Sequence, residues 1–248
     1  MSTSSIFLWE LLGTSVLILL GTGVVANNVL RRTNGNNGGP LFINIGWGFA
    51  VFAGASLAAP SGAHLNPAIT LGLAVADKTE WSDVPIYLIA QMLGGIVGAI
   101  LCWATYKLQF DDHPEPGGTL GIFATAPQIA DKTWNFVTET IGTFVLVAFV
   151  LFSPAFQSGP DGVPNFGNAA LGYAGVAFVV IVIGTSLGGP TGYAINPARD
   201  LGPRIAYAFI LPIRGKGRAD WGYSWVPVLG PIVGGILAAL LFMAYPSA

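Results

Sequence analysis

SGAHLNPAITLG, residues Ser61–Gly72, returns 130 residues later as TGYAINPARDLG, residues Thr191–Gly202. Six of the twelve aligned positions are identical: Gly62/Gly192, Asn66/Asn196, Pro67/Pro197, Ala68/Ala198, Leu71/Leu201 and Gly72/Gly202. Ser61/Thr191 and Leu65/Ile195 are conservative pairs. Each copy spells a helix start, because Asn is favoured at the N-cap and Pro at the first helical position. The apolar pieces that follow, Pro67–Ala76 and Pro197–Ala208, give roughly 15–18 Å of helix. That is about half the hydrocarbon core of a bilayer. Singly, such a piece reads as an interfacial helix or a plain loop. Duplicated, and preceded each time by glycine, it reads as a half-span that enters the membrane and stops at its middle.

The rest of the chain suits that reading. Of 248 residues, 53% are hydrophobic and only 9% are Asp, Glu, Lys or Arg, against about 25% charged in a soluble domain. The mean hydropathy is +0.66. Such a composition cannot cover a water-facing surface, whereas lipid requires no such cover. A net charge of -2 offers no basic surface for nucleic acid. One cysteine, Cys102, excludes an internal disulfide and a Cys-based metal site. His64 and His113 lie far apart in sequence, so neither a metal nor a cofactor is expected. The 34 glycines and 17 prolines are high for helices in water. In membrane bundles Gly permits close helix contact, and breaks are tolerated where they line a cavity.

Six stretches are long enough to span: Ile6–Ala26, Leu41–Ala59, Val84–Tyr106, Trp134–Ser153, Ala169–Leu187 and Trp225–Tyr245. The first reads as a retained span rather than a cleaved signal, since no Lys or Arg precedes it and Glu10 sits within it. Ser82 and Asp83 before Pro85 look like a helix start, Pro60 and Pro154 follow helix ends, and Gln109–Lys132 reads as a long loop. A second repeat supports the first: Glu10–Thr14 and Glu139–Thr143 share the pattern Glu-x-x-Gly-Thr at an offset of 129. The fold class expected is an all-α membrane protein with six transmembrane helices plus two re-entrant half-helices. Residues 1–248 form a single domain, with repeats over approximately 6–106 and 134–245. Three spans per copy force the copies into opposite orientations, an inverted 3+3 repeat whose site lies near the bilayer midplane.

At that midplane the first N–H groups of each half-helix have no bulk water to satisfy them. The side-chain oxygen of Asn66 or Asn196 can cap them, which leaves amide donors to face a pore. Both half-helices also aim the positive ends of their dipoles at this point, which disfavours cations. Arg199 lies three residues after Asn196 in apolar surroundings, where a charge usually marks a pathway. Its bland alternative is a snorkelling surface arginine, or one paired with Asp200. Glu10 and Glu139 read as structural acceptors for loop N–H groups, with a proton relay as the remote alternative. His64 reads as structural, packed near the first turn of its half-helix.

These motifs resemble the aquaporin superfamily over nearly the whole chain, and in detail its glycerol facilitators. Exclusion of protons and cations by opposed half-helix dipoles is a known feature of such pores. The resemblance implies a selectivity constriction of four residues. The family's arginine matches Arg199, and counting back from Asn196 gives Tyr193, where facilitators resemble this with Phe, and Gly184, where they also carry Gly. The fourth position matches Trp47, although Trp47 stands one residue closer to Asn66 than is usual. A deletion in the loop near Pro60 keeps Trp47 in place, whereas one within the helix turns Gly46 or Phe49 to the pore. Water-selective members usually put His at the position of Gly184 and a small residue at that of Tyr193, so Gly184 implies room for a bulkier solute. The Tyr193 hydroxyl makes the apolar corner it forms with Trp47 less purely apolar. Asp200, Arg204 and the Trp-Val-Pro segment ending at Pro227 also look like glycerol-type members.

The function so implied is a passive channel for glycerol and other small uncharged solutes such as urea or lactic acid, with water as a second permeant. The partners implied are the lipid bilayer and three further copies in a homotetramer. The place implied is the plasma membrane, as a multi-pass protein. A water-selective pore is the nearest rival. A proton-coupled transporter would need Glu10 or Glu139 at the midplane. An enzyme is not expected, for no nucleophile–base set appears. The resemblance puts both termini inside the cell. Arg31, Arg32, Lys107, Lys132, Arg214, Lys216 and Arg218 then fall outside and only Lys78 clearly inside, against the usual positive-inside bias.

Overall fold

The computed structural model describes residues 1–153 and 172–245. Pro154 and residues 169–171 of the fifth expected span lie outside the described residues. The first half of the chain forms α1 (Thr3–Val29), α2 (Gly39–Leu57), the half-helix α3 (Pro67–Val75) and α4 (Val84–Thr105). The second half repeats the order as α7 (Lys132–Phe152), α8 (Ala174–Leu187), the half-helix α9 (Pro197–Ile205) and α10 (Val226–Ala244). Five of these helices, α1, α2, α4, α7 and α10, are long and apolar enough to cross a membrane. Their starts follow from sequence: Ser2 caps α1 and Asp131 caps α7 through their side chains, and Pro stands in the first turn of α2, α4 and α10. Asp83 is the N-cap of α4, but its side chain makes no capping bond.

Glycine decides how closely the helices approach. A Cβ on Gly94 of α4 would lie 2.8 Å from the Leu11 carbonyl of α1, and one on Gly98 would lie 2.6 Å from the Ser15 carbonyl. The half-helices are seated the same way and in matching positions. Gly235 of α10 would put a Cβ 2.6 Å from the Ala68 carbonyl of α3, and Gly95 of α4 would put one 2.7 Å from the Ala198 carbonyl of α9. Only a residue without a side chain lets each half-helix start pack flush against its full span.

Two regions differ from the sequence reading. The stretch expected as a loop at Gln109–Lys132 takes in most of the short helix α5 (Lys107–Asp112) and the whole of α6 (Leu120–Phe123). Its pattern is too short for helical periodicity to register. The apolar piece Pro197–Ala208 does not stay α-helical to its end, but widens after Ile205 into a π turn over Ala206–Ile210. Pro203 inside α9 has no N–H to give the Arg199 carbonyl, which loosens the helix there. The Lys216 ammonium closes this end by donating to the carbonyls of Tyr207 and of Leu211, the latter at 2.7 Å, where a cation also complements the helix dipole.

Candidate conducting pathway and constriction

The two Asn-Pro-Ala turns meet tip to tip. Asn66 and Asn196 are the N-caps of α3 and α9, both in extended backbone. Asn66 Oδ1 accepts from Ala68 N at 2.9 Å, and Asn196 Oδ1 accepts from Ala198 N and Arg199 N at 3.0 and 3.1 Å. Each amide then reaches across the pseudo-symmetry axis: Asn66 Nδ2 donates to the Ile195 carbonyl and Asn196 Nδ2 to the Leu65 carbonyl, both at 2.8 Å. One amide hydrogen of each Asn is therefore engaged, and the other is left beside the cavity that both residues line. The expectation of wholly free donors is corrected to one per residue.

The segments leading into the turns are held by buried carboxylates. Glu10 accepts from His64 N and Ser61 Oγ on one oxygen, at 2.9 and 2.7 Å. Its other oxygen accepts from Leu65 N at 2.7 Å and Gln91 Nε2 at 2.8 Å. Glu139 does the same for the second copy, accepting from Thr191 Oγ1 at 2.7 Å and from Ala194 N and Ile195 N at 2.9 Å. These bonds hold Ala63, Leu65, Tyr193 and Ile195 at positive φ, +54, +51, +39 and +43°. Non-glycine residues adopt that region only where their surroundings fix them.

The consequence is a row of acceptors. In a trans peptide the C=O points opposite to the N–H of the next residue. With the N–H groups of His64 and Leu65 turned to Glu10, the carbonyls of Ala63 and His64 point away from it. Those of Tyr193 and Ala194 point away from Glu139 for the same reason. None of these four carbonyls accepts from a described residue, and all four residues line one cavity of about 120 Å³. The same cavity is lined by the apolar side chains of Val51, Ile69, Leu146, Val176 and Val180. No side-chain pattern in the sequence marks this row, which is written in backbone geometry. The glycines Gly62 and Gly192, at φ +89 and +79°, were its only local signal.

Arg199 and Trp47 both line the cavity, the guanidinium carbon of Arg199 3.8 Å from the centre of the Trp47 ring. Its Nη1 donates to the Phe123 carbonyl at 3.4 Å, while Nε and Nη2 donate to no described residue. Asp200 is not its partner. Asp200 pairs with Arg204 at 2.8 Å, both side chains fully buried, and also accepts from Thr125 N and Oγ1 at 2.7 Å. Arg204 further donates to the carbonyls of Ala219, at 2.6 Å, and Thr125, at 2.9 Å, so it ties two loops to α9. Trp47, rather than Gly46 or Phe49, faces the cavity: Gly46 packs on Val24, and Phe49 is 54% exposed on the outer surface. Gly184 does give room, but the Tyr193 ring fills it, since a Cβ there would lie 2.6 Å from Tyr193 Cζ. The Tyr193 hydroxyl donates to Asn44 Oδ1 at 2.7 Å, a partner the sequence did not suggest. His64 stacks on Tyr87 at 4.1 Å, and its Nδ1 lies 3.1 Å from Thr70 Oγ1 in the first turns of α3.

Comparison with known proteins agrees with this architecture. The family described as "Major intrinsic protein" matches residues 1–242. "Glycerol uptake facilitator protein 3" of Lactiplantibacillus plantarum is 51% identical over 240 residues, covering 96% of each chain. The "Probable glycerol uptake facilitator protein" of Thermotoga maritima is 50% identical over 239 residues, covering 96% of this chain and 98% of the relative. Among solved structures, the aquaglyceroporin from Plasmodium falciparum superposes with a TM-score of 0.78 at 29% identity, covering 97% of this chain and 96% of that one. Half-helices, inverted repeat and sequence all lead to one assignment: the chain belongs to the major intrinsic protein family.

Proposed function

We propose that the chain is a passive channel for glycerol and other small uncharged solutes, with water as a second permeant, and that it excludes ions and protons. The observation that carries this reading is the mixed lining of the cavity. Ala63, His64, Tyr193 and Ala194, whose carbonyls accept from no described residue, line it together with apolar side chains and with Arg199 and Trp47, which stack on each other. A polyol presents hydroxyls and C–H faces, and such a passage satisfies both. The relatives named above are glycerol uptake facilitators, which supports the same solute class. A water-selective pore is favoured less, because Gly184 and Tyr193 leave no imidazole at the constriction. A proton-coupled transporter is favoured less as well. Both glutamates are occupied by loop N–H and hydroxyl donors rather than turned to the cavity. Family membership supports a transport role over an enzymatic one. We place the protein in the plasma membrane with both termini inside the cell, as a homotetramer with one pore per subunit.

Arg199 is the test. A guanidinium stays charged at any physiological pH. A cation passing it at close range meets a repulsion of about 4 kcal/mol at an intermediate dielectric. Arg199→Val should therefore raise proton leak roughly tenfold or more, since about 1.4 kcal/mol of lost barrier suffices for a factor of ten. Glycerol flux should persist. The readout is pH-dye decay in vesicles at matched protein density. A folded Arg199→Val channel that is ion-tight and unchanged in neutral selectivity would remove Arg199 from the constriction.

A further inference from the structure

Asn44 sits on α2 one turn before Trp47, buried, with its Oδ1 2.7 Å from the Tyr193 hydroxyl that donates to it. The Tyr193 ring is closely confined on that side. A Cβ on Gly184 would lie 2.6 Å from Cζ, 2.9 Å from the hydroxyl oxygen and 3.0 Å from Asn44 Cγ, and Gly188 closes against the Cδ1 edge. The backbone of Tyr193 is fixed in turn at φ +39° by the donors bound to Glu139. The side chain's remaining freedom is toward the cavity that it lines. A phenolic hydroxyl buried between α2 and α8 without an acceptor is unfavourable, so its orientation follows wherever an acceptor is found.

We propose that Asn44 is a positioning residue that sets solute specificity by holding the Tyr193 hydroxyl out of the constriction. With the hydroxyl docked on α2, Tyr193 presents ring carbon to the solute, and Arg199 is the side chain that donates to solute hydroxyls. With Asn44 unable to accept, the hydroxyl's nearest partners are water and solute in the cavity. The ring then moves inward, narrows the neck and competes with Arg199 for the same hydroxyls. This inference rests on the glycerol-channel reading above, and it explains how a tyrosine serves at a position where an apolar ring suits a polyol.

The experiment compares glycerol and water permeability by stopped-flow light scattering in proteoliposomes of four proteins: wild type, Asn44→Leu, Tyr193→Phe and the double variant. The ratio of the two permeabilities is independent of protein density. Asn44→Leu should lower the glycerol-to-water ratio roughly fivefold, the scale set by one unmet buried hydrogen bond. The same substitution should leave the ratio unchanged when made on top of Tyr193→Phe, because no hydroxyl remains to be released. An equal fall in both backgrounds, or no fall in either, would overturn the proposal. Should Asn44→Leu not incorporate, Asn44→Ala carries the same expectations. A wild type that passes no glycerol would defeat the glycerol reading instead. The coupling would then be read in water permeability alone, lowered by Asn44→Leu only where Tyr193 keeps its hydroxyl.

Discussion

Glu139→Ala is expected to abolish solute flux and to leave the protein unable to survive mild heating in detergent. Three buried donors lose their acceptor together: Thr191 Oγ1, Ala194 N and Ile195 N. Each unmet buried donor costs about 1–3 kcal/mol, so the loss is on the order of 3–9 kcal/mol, a large share of a typical stability of about 5–15 kcal/mol. The same bonds also keep Tyr193 and the β-branched Ile195 at positive φ. Without them the segment relaxes toward ordinary backbone conformations and takes Asn196 off the axis. Glu139→Gln keeps one carbonyl oxygen and the side-chain volume, so it should fall between the wild type and Ala. Thermal stability followed by fluorescence-detected size exclusion ranks the three. A Glu139→Ala protein with wild-type stability and flux would show that the carboxylate does not hold the loop.

The second large effect is expected at Arg204. It carries a charge in the same half-helix as Arg199 and lies five residues further on, yet it serves the fold rather than the cavity. Arg204→Val leaves Asp200 as a buried charge without its partner, and it releases the Ala219 and Thr125 carbonyls. Removing one member of a buried pair typically costs about 3–5 kcal/mol. The variant should therefore be recovered poorly and melt well below wild type in the same assay. The double variant Arg204→Met with Asp200→Asn should recover part of that loss, because no lone charge remains and the Asn carbonyl oxygen can still accept from Thr125. A stable Arg204→Val protein would mean that water reaches Asp200 and that the pair is not sealed.

Why some of this was legible in the sequence and some was not comes down to range. Asn-Pro-Ala is a local instruction, written twice, and the duplication of Glu10 and Glu139 ahead of the two turns exposed their shared task. Trp47 was ambiguous by spacing alone, yet helix phase resolves it. Asn44, Trp47, Val51 and Ala55 recur at intervals of three and four on α2, and the last three line the cavity. The pairing of Asp200 was open to a similar argument, because residues four apart share a helix face and adjacent ones do not. Asn44 itself was out of reach. Its partner lies 149 residues away, and one amide in an apolar run carries no local mark of that contact. The carbonyl row was hidden for a different reason: it depends on positive φ at Ala63, Leu65, Tyr193 and Ile195, residue types that do not advertise it.

Passive conduction of glycerol is tested most directly by one measurement. Purified wild-type protein in liposomes is exposed to a glycerol gradient, and vesicle volume is followed by light scattering beside protein-free liposomes. The measurement is made once without a proton gradient and once with an inward one at constant external pH. A passive channel built from Asn66, Asn196 and Arg199 should equilibrate glycerol well above the protein-free rate, at the same speed in both conditions. Glycerol flux equal to that of protein-free vesicles, or flux that rises with the proton gradient, would contradict it.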